Sequence, residues 1–334
     1  LYIDPEKIPD GFTEHVGDGV SVYPSDQLKD GLNRLQGKSV LLDPNTSNVW
    51  IKSLLDDASV NLINGLNPCL LPKACKNSTE ISGMKACHIR DGVAVTKYLA
   101  WLDDEIAEGN LHDEGTLSDK LEIFRRENEK FMGLSFTTIS AAAGNAAMCH
   151  YNHMNQKEYG RLEMKNLYLV DSGGQYLDGT TDITRTVAVG EVSSEIKEAF
   201  TLVLKGHIAL GSAIFPDGTS GMQLDPLARQ FLWQRGYDYD HGTGHGVGAF
   251  LNVHEGPQSI GKKGTNIPLK PGMIVSNEPG YYRANEFGIR CENLVLVKDV
   301  ETHGDVPTYG FENITFVPFD TRLIDVNLLT SSER

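Results

Sequence analysis

Several things are scarce in this chain, and each absence excludes something. No stretch approaches the roughly 18 apolar residues of a membrane-spanning helix. Positive charge is in deficit: 30 Lys and Arg stand against 45 Asp and Glu, for a net charge of −15. A nucleic-acid binder needs a basic face to neutralise phosphates, so the balance argues against that class. The five cysteines (Cys69, Cys75, Cys87, Cys149 and Cys291) are odd in number and form no Cys-x-x-Cys pair. That pattern speaks against a disulfide framework or a thiolate zinc site and points to a reducing, cytoplasmic compartment. No secretory signal opens the chain, so the glycosylation-type triplets at Asn45, Asn77 and Asn313 carry little weight. An initiating Met is also missing. The chain starts at Leu1 in ordered-looking sequence, and we expect a piece of a longer protein.

What is present suffices for a folded protein. Apolar residues make up 40% of the 334 positions and charged residues 22%, enough for a substantial core. Residues 1–75 read as part of an N-terminal or middle domain. Val40–Leu42 and Val60–Ile63 look like short strands around a helical stretch near 48–57, and Pro68 and Pro72 close the segment. Residues 76–334 form the second domain. A helix capped by Asn77 or Ser78 runs through Trp101, and another is expected over 117–132. A strand at 167–171 and a return strand at 182–189 follow. Two more helices come next, one capped by Ser193 or Ser194, the other capped by Asp225 with Pro226 at its first position. Strands are expected at 273–276, 293–298 and 314–318. The helices–hairpin–helices–hairpin order predicts an α+β domain, helices against a curved antiparallel sheet, and hints at a duplicated half.

Five segments hold most of the unusual polar residues. Asp171 ends an apolar strand and Asp182 begins the return. A two-residue turn at Asp178-Gly179 would offset them by four residues, about 13 Å, so a shared site requires a wider loop or a bulge. Two histidines, His241 and His245, lie among glycines, which let a backbone take unusual dihedrals or pass close to a ligand. Neutral imidazole suits zinc, manganese or cobalt. One of the two histidines reads as a ligand and the other as a substrate contact. His254 precedes Gly-Pro and by itself reads as a loop residue. Glu278 sits between an apolar run and a Pro-Gly turn. Glu292 enters a strongly apolar strand, where a carboxylate is costly to bury unless a cation pairs with it. Four carboxylates gathered with one histidine would repel one another and take up protons. Two divalent cations about 3.5–4 Å apart remove the repulsion. A set of mostly oxygen donors favours a hard cation, manganese ahead of zinc or cobalt.

The segments Asp-Gly-Thr-Thr-Asp-Ile-Thr-Arg-Thr, His-Gly-Thr-Gly-His-Gly and Asn-Glu-Pro-Gly-Tyr-Tyr together resemble the pita-bread metallopeptidases. The closest likeness is to the Xaa-Pro aminopeptidases, and among them the three-domain cytosolic branch. The likeness covers about residues 77–330. It implies a missing first domain, a shortened middle one and an end close to the family's last helices. It also implies metal ligands at Asp171, Asp182, His245, Glu278 and Glu292, with Asp182 and Glu292 bridging. His150 corresponds to a substrate-contacting histidine, with His153 as a rival. His241, His254 and Arg290 belong around the substrate. Cys291 stands where an aliphatic residue is expected, and a thiol there implies sensitivity to oxidation or heavy metals.

The activity implied by the resemblance is release of the N-terminal residue from peptides with proline second, through attack by a metal-bridging hydroxide. Glu278 acts as general acid/base and His254 stabilises the oxyanion. The implied partners are such peptides and a second subunit, paired through the C-terminal region. Prolidase, restricted to Xaa-Pro dipeptides, is the near alternative. A non-catalytic pita-bread binding module is the alternative from another class, and five retained ligands speak against it.

Overall fold

A computed structural model describes residues 1–334. The chain divides into two compact units, Leu1–Leu70 and Leu71–Arg334. In the first unit two short strands, Ser39–Leu42 and Asn61–Asn64, pair in parallel. The helix Val49–Asp57 connects them, and the Asn48 side chain caps it by accepting from Trp50 N. Leu42, Leu55 and Val60 form the small core beneath.

The second unit opens with the 31-residue helix Ser78–Glu108. Asn77 and Glu80 form a reciprocal capping box at its start, and Gly109 ends it in the left-handed conformation. The next helix is Glu114–Arg126, shorter than the expected 117–132. Lys130, at φ 63°, reverses the chain, and Phe131–Leu134 becomes a strand whose Phe131 ring packs edge-on against Tyr176.

The strands carrying Asp171 and Asp182 belong to one long hairpin. Its outer part pairs Asn166–Ser172 with Ile183–Val189, Asp171 opposite Thr184. Its inner part pairs Gln175 with Thr180 and Tyr176 with Gly179. The register is the same in both parts, so the tip is Leu177-Asp178. The expected tip, Asp178-Gly179, is one residue too late. Moving it shortens the offset between Asp171 and Asp182 from four residues to two, which makes them diagonal neighbours on one face without a bulge. Ile139–Ala142 adds a third strand beside Asn166–Ser172.

The helix–helix–strands order then repeats. Ser193 caps the helix Ser194–Gly211. The following helix is Gly221–Trp233, and Asp225 is not its cap. Ser220 and Gln223 form a capping box more than a turn earlier, so Pro226 falls inside the helix. Asp225 is instead buried, bonded to Arg229 and to the Thr243 hydroxyl. A four-stranded antiparallel sheet follows, in the order Ile274–Asn277, Asn293–Val300, Thr308–Asn313, Ile214–Pro216. The expected strand at 314–318 is absent. The carbonyls of Val317 and Pro318 accept from the Arg185 guanidinium and not from a strand ladder. A second hairpin, Gly280–Arg283 with Phe287–Arg290, was not anticipated, and it carries Arg290.

Candidate metal centre and active site

Glu292, with Cys291 before it, links the second hairpin to the strand Asn293–Val300, while Glu278 lies between Asn277 and Gly280 where one strand gives way to the next. The Glu292 side chain is 1% exposed and accepts from the Thr184 hydroxyl at 2.6 Å. Since Thr184 pairs with Asp171, that bond ties the two hairpins together. Glu278 accepts from Ser276 Oγ at 2.9 Å, and the same oxygen accepts from His245 N at 2.9 Å. The His-Gly-Thr-Gly-His segment can run so close because of Gly244. A Cβ there would lie 2.0 Å from the Ser276 carbonyl. None of the glycines between His241 and His245 takes a left-handed φ, so close approach, and not unusual dihedrals, is why they are needed.

Ligand-capable atoms of Asp182, His245 and Glu292 all fall within 4.8 Å of one another. His245 Nε2 lies 3.3 Å from Asp182 Oδ2 and 3.6 Å from Glu278 Oε1. Its Nδ1 donates to the Gly246 carbonyl at 3.0 Å, which orients Nε2 toward the carboxylates. Asp171 Oδ2 pairs with Arg290 at 2.5 Å, whereas its Oδ1 is buried with no hydrogen-bond partner. Such an orphaned oxygen beside three further carboxylates is what a cation site requires. The residues present therefore fit divalent metals.

Charge balance leads to the same conclusion. Burial and the neighbouring carboxylates push Asp182 up to about 7 and raise Glu278 and Glu292 above the ordinary glutamate range. For Asp182 the hydrogen bond from His245 opposes the rise. Burial acts to lower His245, but the Asp182 hydrogen bond and the Glu278 and Asp182 charges outweigh it and lift the ring to about 9. In the metal-free chain, protons stand where cations are wanted.

A cavity of about 470 Å³ opens over this cluster. All nine residues assigned to the site from the sequence line it: His150, Asp171, Asp182, His241, His245, His254, Glu278, Arg290 and Glu292. His241 is pushed down to about 3 by burial and by Arg290 and is therefore neutral. Its Nδ1 donates to Gly242 O, leaving Nε2 to accept from the Tyr282 hydroxyl at 2.8 Å, and Arg290 donates to that hydroxyl from the other side. The His254 ring stands edge-on to His245, centroids 4.3 Å apart, and burial and that neighbour lower its pKa. His153 does not line the cavity; it is buried against Tyr159. Cys291 points away, into a cluster with Phe200 and Ile289, and burial pushes its thiol up to about 12. A sealed, protonated thiol is unreactive, which corrects the expected oxidation sensitivity. Cys149, Tyr151, Asn152 and Tyr282 were missed. The first three adjoin His150, and that adjacency was the available signal.

These strands and their helices form a pita-bread fold, and the chain belongs to metallopeptidase family M24, whose model matches residues 82–299. A creatinase/prolidase N-terminal domain model matches residues 1–80, and the C-terminal region of peptidase M24 matches residues 307–334. Among relatives, a probable Xaa-Pro aminopeptidase P of Tuber melanosporum is 48% identical, aligned to 100% of this chain and 57% of its own length. One of Sclerotinia sclerotiorum is 46% identical, over 100% and 58%. The chain thus spans a little over half the length of these relatives. The structure of an X-prolyl aminopeptidase from Caenorhabditis elegans, described as a cytosolic enzyme with a di-nuclear active site, superposes with TM-score 0.93 at 36% identity, over 99% of this chain and 55% of that one. A Xaa-Pro dipeptidase from Bacillus anthracis shares the fold at TM-score 0.76 and 24% identity, over 96% and 84%. No helix is long and apolar enough to cross a membrane.

Proposed function

We propose that this chain is the catalytic part of a two-metal Xaa-Pro aminopeptidase, releasing the first residue of peptides with proline second. The observation that carries the reading is the convergence of four carboxylates and His245 on one cavity, with Asp171 Oδ1 unpartnered. Asp171, Asp182, His245, Glu278 and Glu292 would hold two divalent ions, with manganese first by donor type. When bound, the ions acidify water and polarise the scissile carbonyl. The chain's own groups do the rest. His254, neutral with one ring N–H, donates to the carbonyl oxygen as negative charge develops there. Glu278, steadied by Ser276, moves a proton toward the departing prolyl nitrogen. Arg290 holds Asp171 and Tyr282 in place, and Tyr282 fixes His241. His150 and His241 orient the peptide from the cavity wall.

On this reading residues 1–75 belong to a domain preceding the catalytic one, residues 76–334, and the protein is a cytoplasmic enzyme that pairs as a homodimer. The test is a manganese-reconstituted assay with Xaa-Pro dipeptides beside Xaa-Pro-Xaa peptides. Cleavage of both supports an aminopeptidase, cleavage of dipeptides alone supports a prolidase, and metal binding without hydrolysis of either overturns both.

A further inference from the structure

We propose that Glu114, outside the metal centre, is the positioning residue for the cavity wall that carries His150, and so sets how tightly peptide is held. The inference rests on the reading of that cavity as a peptide site. Glu114 is 0% exposed, yet no lysine or arginine pairs with it. Its four partners all come from one segment, residues 142–160. Oε1 accepts from Ala142 N at 2.8 Å and Asn145 Nδ2 at 2.9 Å. Oε2 accepts from the Tyr151 hydroxyl at 2.7 Å and Gly160 N at 3.0 Å. The Glu114 backbone N–H also donates to the Gly160 carbonyl.

One carboxylate thus fastens both ends of an excursion and two points inside it. Cys149, His150, Tyr151 and Asn152, on that excursion, line the cavity. Three features let the charge sit there without a cation. Charge-assisted hydrogen bonds fill its lone pairs. It stands in the first turn of the 13-residue helix Glu114–Arg126, at the positive end of the helix dipole. The glycine at 160 keeps space for it, since a Cβ there would come 2.7 Å from Glu114 Oε1. A neutral structural stitch would do with fewer donors. Four converging on a charge give the excursion a single position, and His150 and Tyr151 inherit it.

The experiment compares Glu114→Gln and Tyr151→Phe with the parent chain, all loaded with manganese. In Glu114→Gln an amide N–H₂ faces donors that had an acceptor. KM for an Xaa-Pro-Xaa peptide should rise roughly tenfold or more, the scale of one lost hydrogen bond to a charged group. The turnover number should change little and metal stoichiometry not at all, the signature of lost positioning in binding. Tyr151→Phe should shift KM the same way by less. Amide hydrogen exchange should quicken over 143–159 in Glu114→Gln and stay unchanged in Asn166–Ser172 and Asn293–Val300. Unchanged KM in both variants, or loss of metal together with turnover, would overturn the proposal. If the parent chain cleaves no Xaa-Pro peptide, the proposed function fails, and exchange alone decides the role of Glu114: unchanged exchange over 143–159 overturns it.

Discussion

Two buried ionic clusters hang on the same hairpin and solve opposite problems. In the first, Asp91 receives Arg125 through Nε at 2.8 Å and Nη2 at 3.1 Å, and the Tyr176 hydroxyl at 2.8 Å. Burial pulls Asp91 up, but Arg125 and these hydrogen bonds win, and its pKa stays below the usual value. Its charge is cancelled within the protein. In the second, Asp182, Glu278 and Glu292 are all pushed upward, and Arg290 is the only lysine or arginine among the cavity-lining residues. Its charge is left for something else to cancel. Burial alone does not mark a functional carboxylate; a missing counter-charge does.

The sharpest way to break this contrast is to neutralise a bridging candidate. Asp182→Asn and Glu292→Gln should each abolish peptide cleavage and lower metal content, measured by elemental analysis and assay. Full metal occupancy with ordinary turnover in either would remove the second cluster from the comparison. The same two variants should melt higher than the parent when all are metal-free, because an amide relieves the buried repulsion. Next in size is His254→Ala. Turnover should fall about 10²–10³-fold, as for loss of one oxyanion donor, with both metals retained. Metal loss there would mean that His254, not His245, is the ligand.

The first cluster should respond in the opposite sense. Asp91→Asn leaves Arg125 buried and unpaired, and breaking such a pair costs about 3–5 kcal/mol. Thermal unfolding should drop accordingly, while manganese affinity well below the melting point stays close to that of the parent. A lost metal site with unchanged melting would reverse the assignment of roles.

The smallest effect expected is with pH in the metal-free protein. Asp182 rises from 3.8 to about 7 on folding and His245 from 6.5 to about 9. Groups raised on folding stabilise the fold below their unfolded pKa and lose that contribution as pH climbs through the folded one. His207, pushed down to about 4 by burial and Arg185, and His241 act in the reverse sense, but only below about 6.5. From pH 7 to 9 the melting temperature in chelator should therefore decline, and manganese should flatten the decline by replacing the protons. Calorimetry in the two conditions checks it. A flat or rising chelator curve would mean the second cluster is not short of positive charge.

The site was more legible than the fold around it, for a physical reason. Asp, His and Glu beside glycines and apolar runs are costly placements, and cost leaves a mark on sequence. Boundaries set by cheap choices leave none. Ser220 with Gln223 outcompetes the Asp225-Pro226 start because a capping box satisfies two orphan donors, yet both read as helix starts. The stretch 314–318 is apolar enough to read as a strand, but Arg185 supplies partners for the Val317 and Pro318 carbonyls that a neighbouring strand would. All five of its N–H groups go to oxygens, from Thr184, Glu292, Asn293, Val317 and Pro318. One side chain in place of a ladder is invisible to periodicity.

The unbroken register of the hairpin through Leu177-Asp178 makes the site depend on counting as well as on chemistry. Ten residues separate Asp171 from Asp182. An insertion that lengthens one arm by a single residue turns one aspartate to the opposite face, every residue type intact. Two extra residues in the arm that carries Asp171 restore the face but widen the offset from two residues to four, sliding the carboxylates about 7 Å farther apart, two steps of strand rise. Growth confined to the tip beyond Tyr176 and Gly179 leaves both in place. Length drift in this family is therefore expected to collect at the tip, and a homologue with an odd arm insertion is expected to have lost its metal even where every ligand can still be read in its sequence.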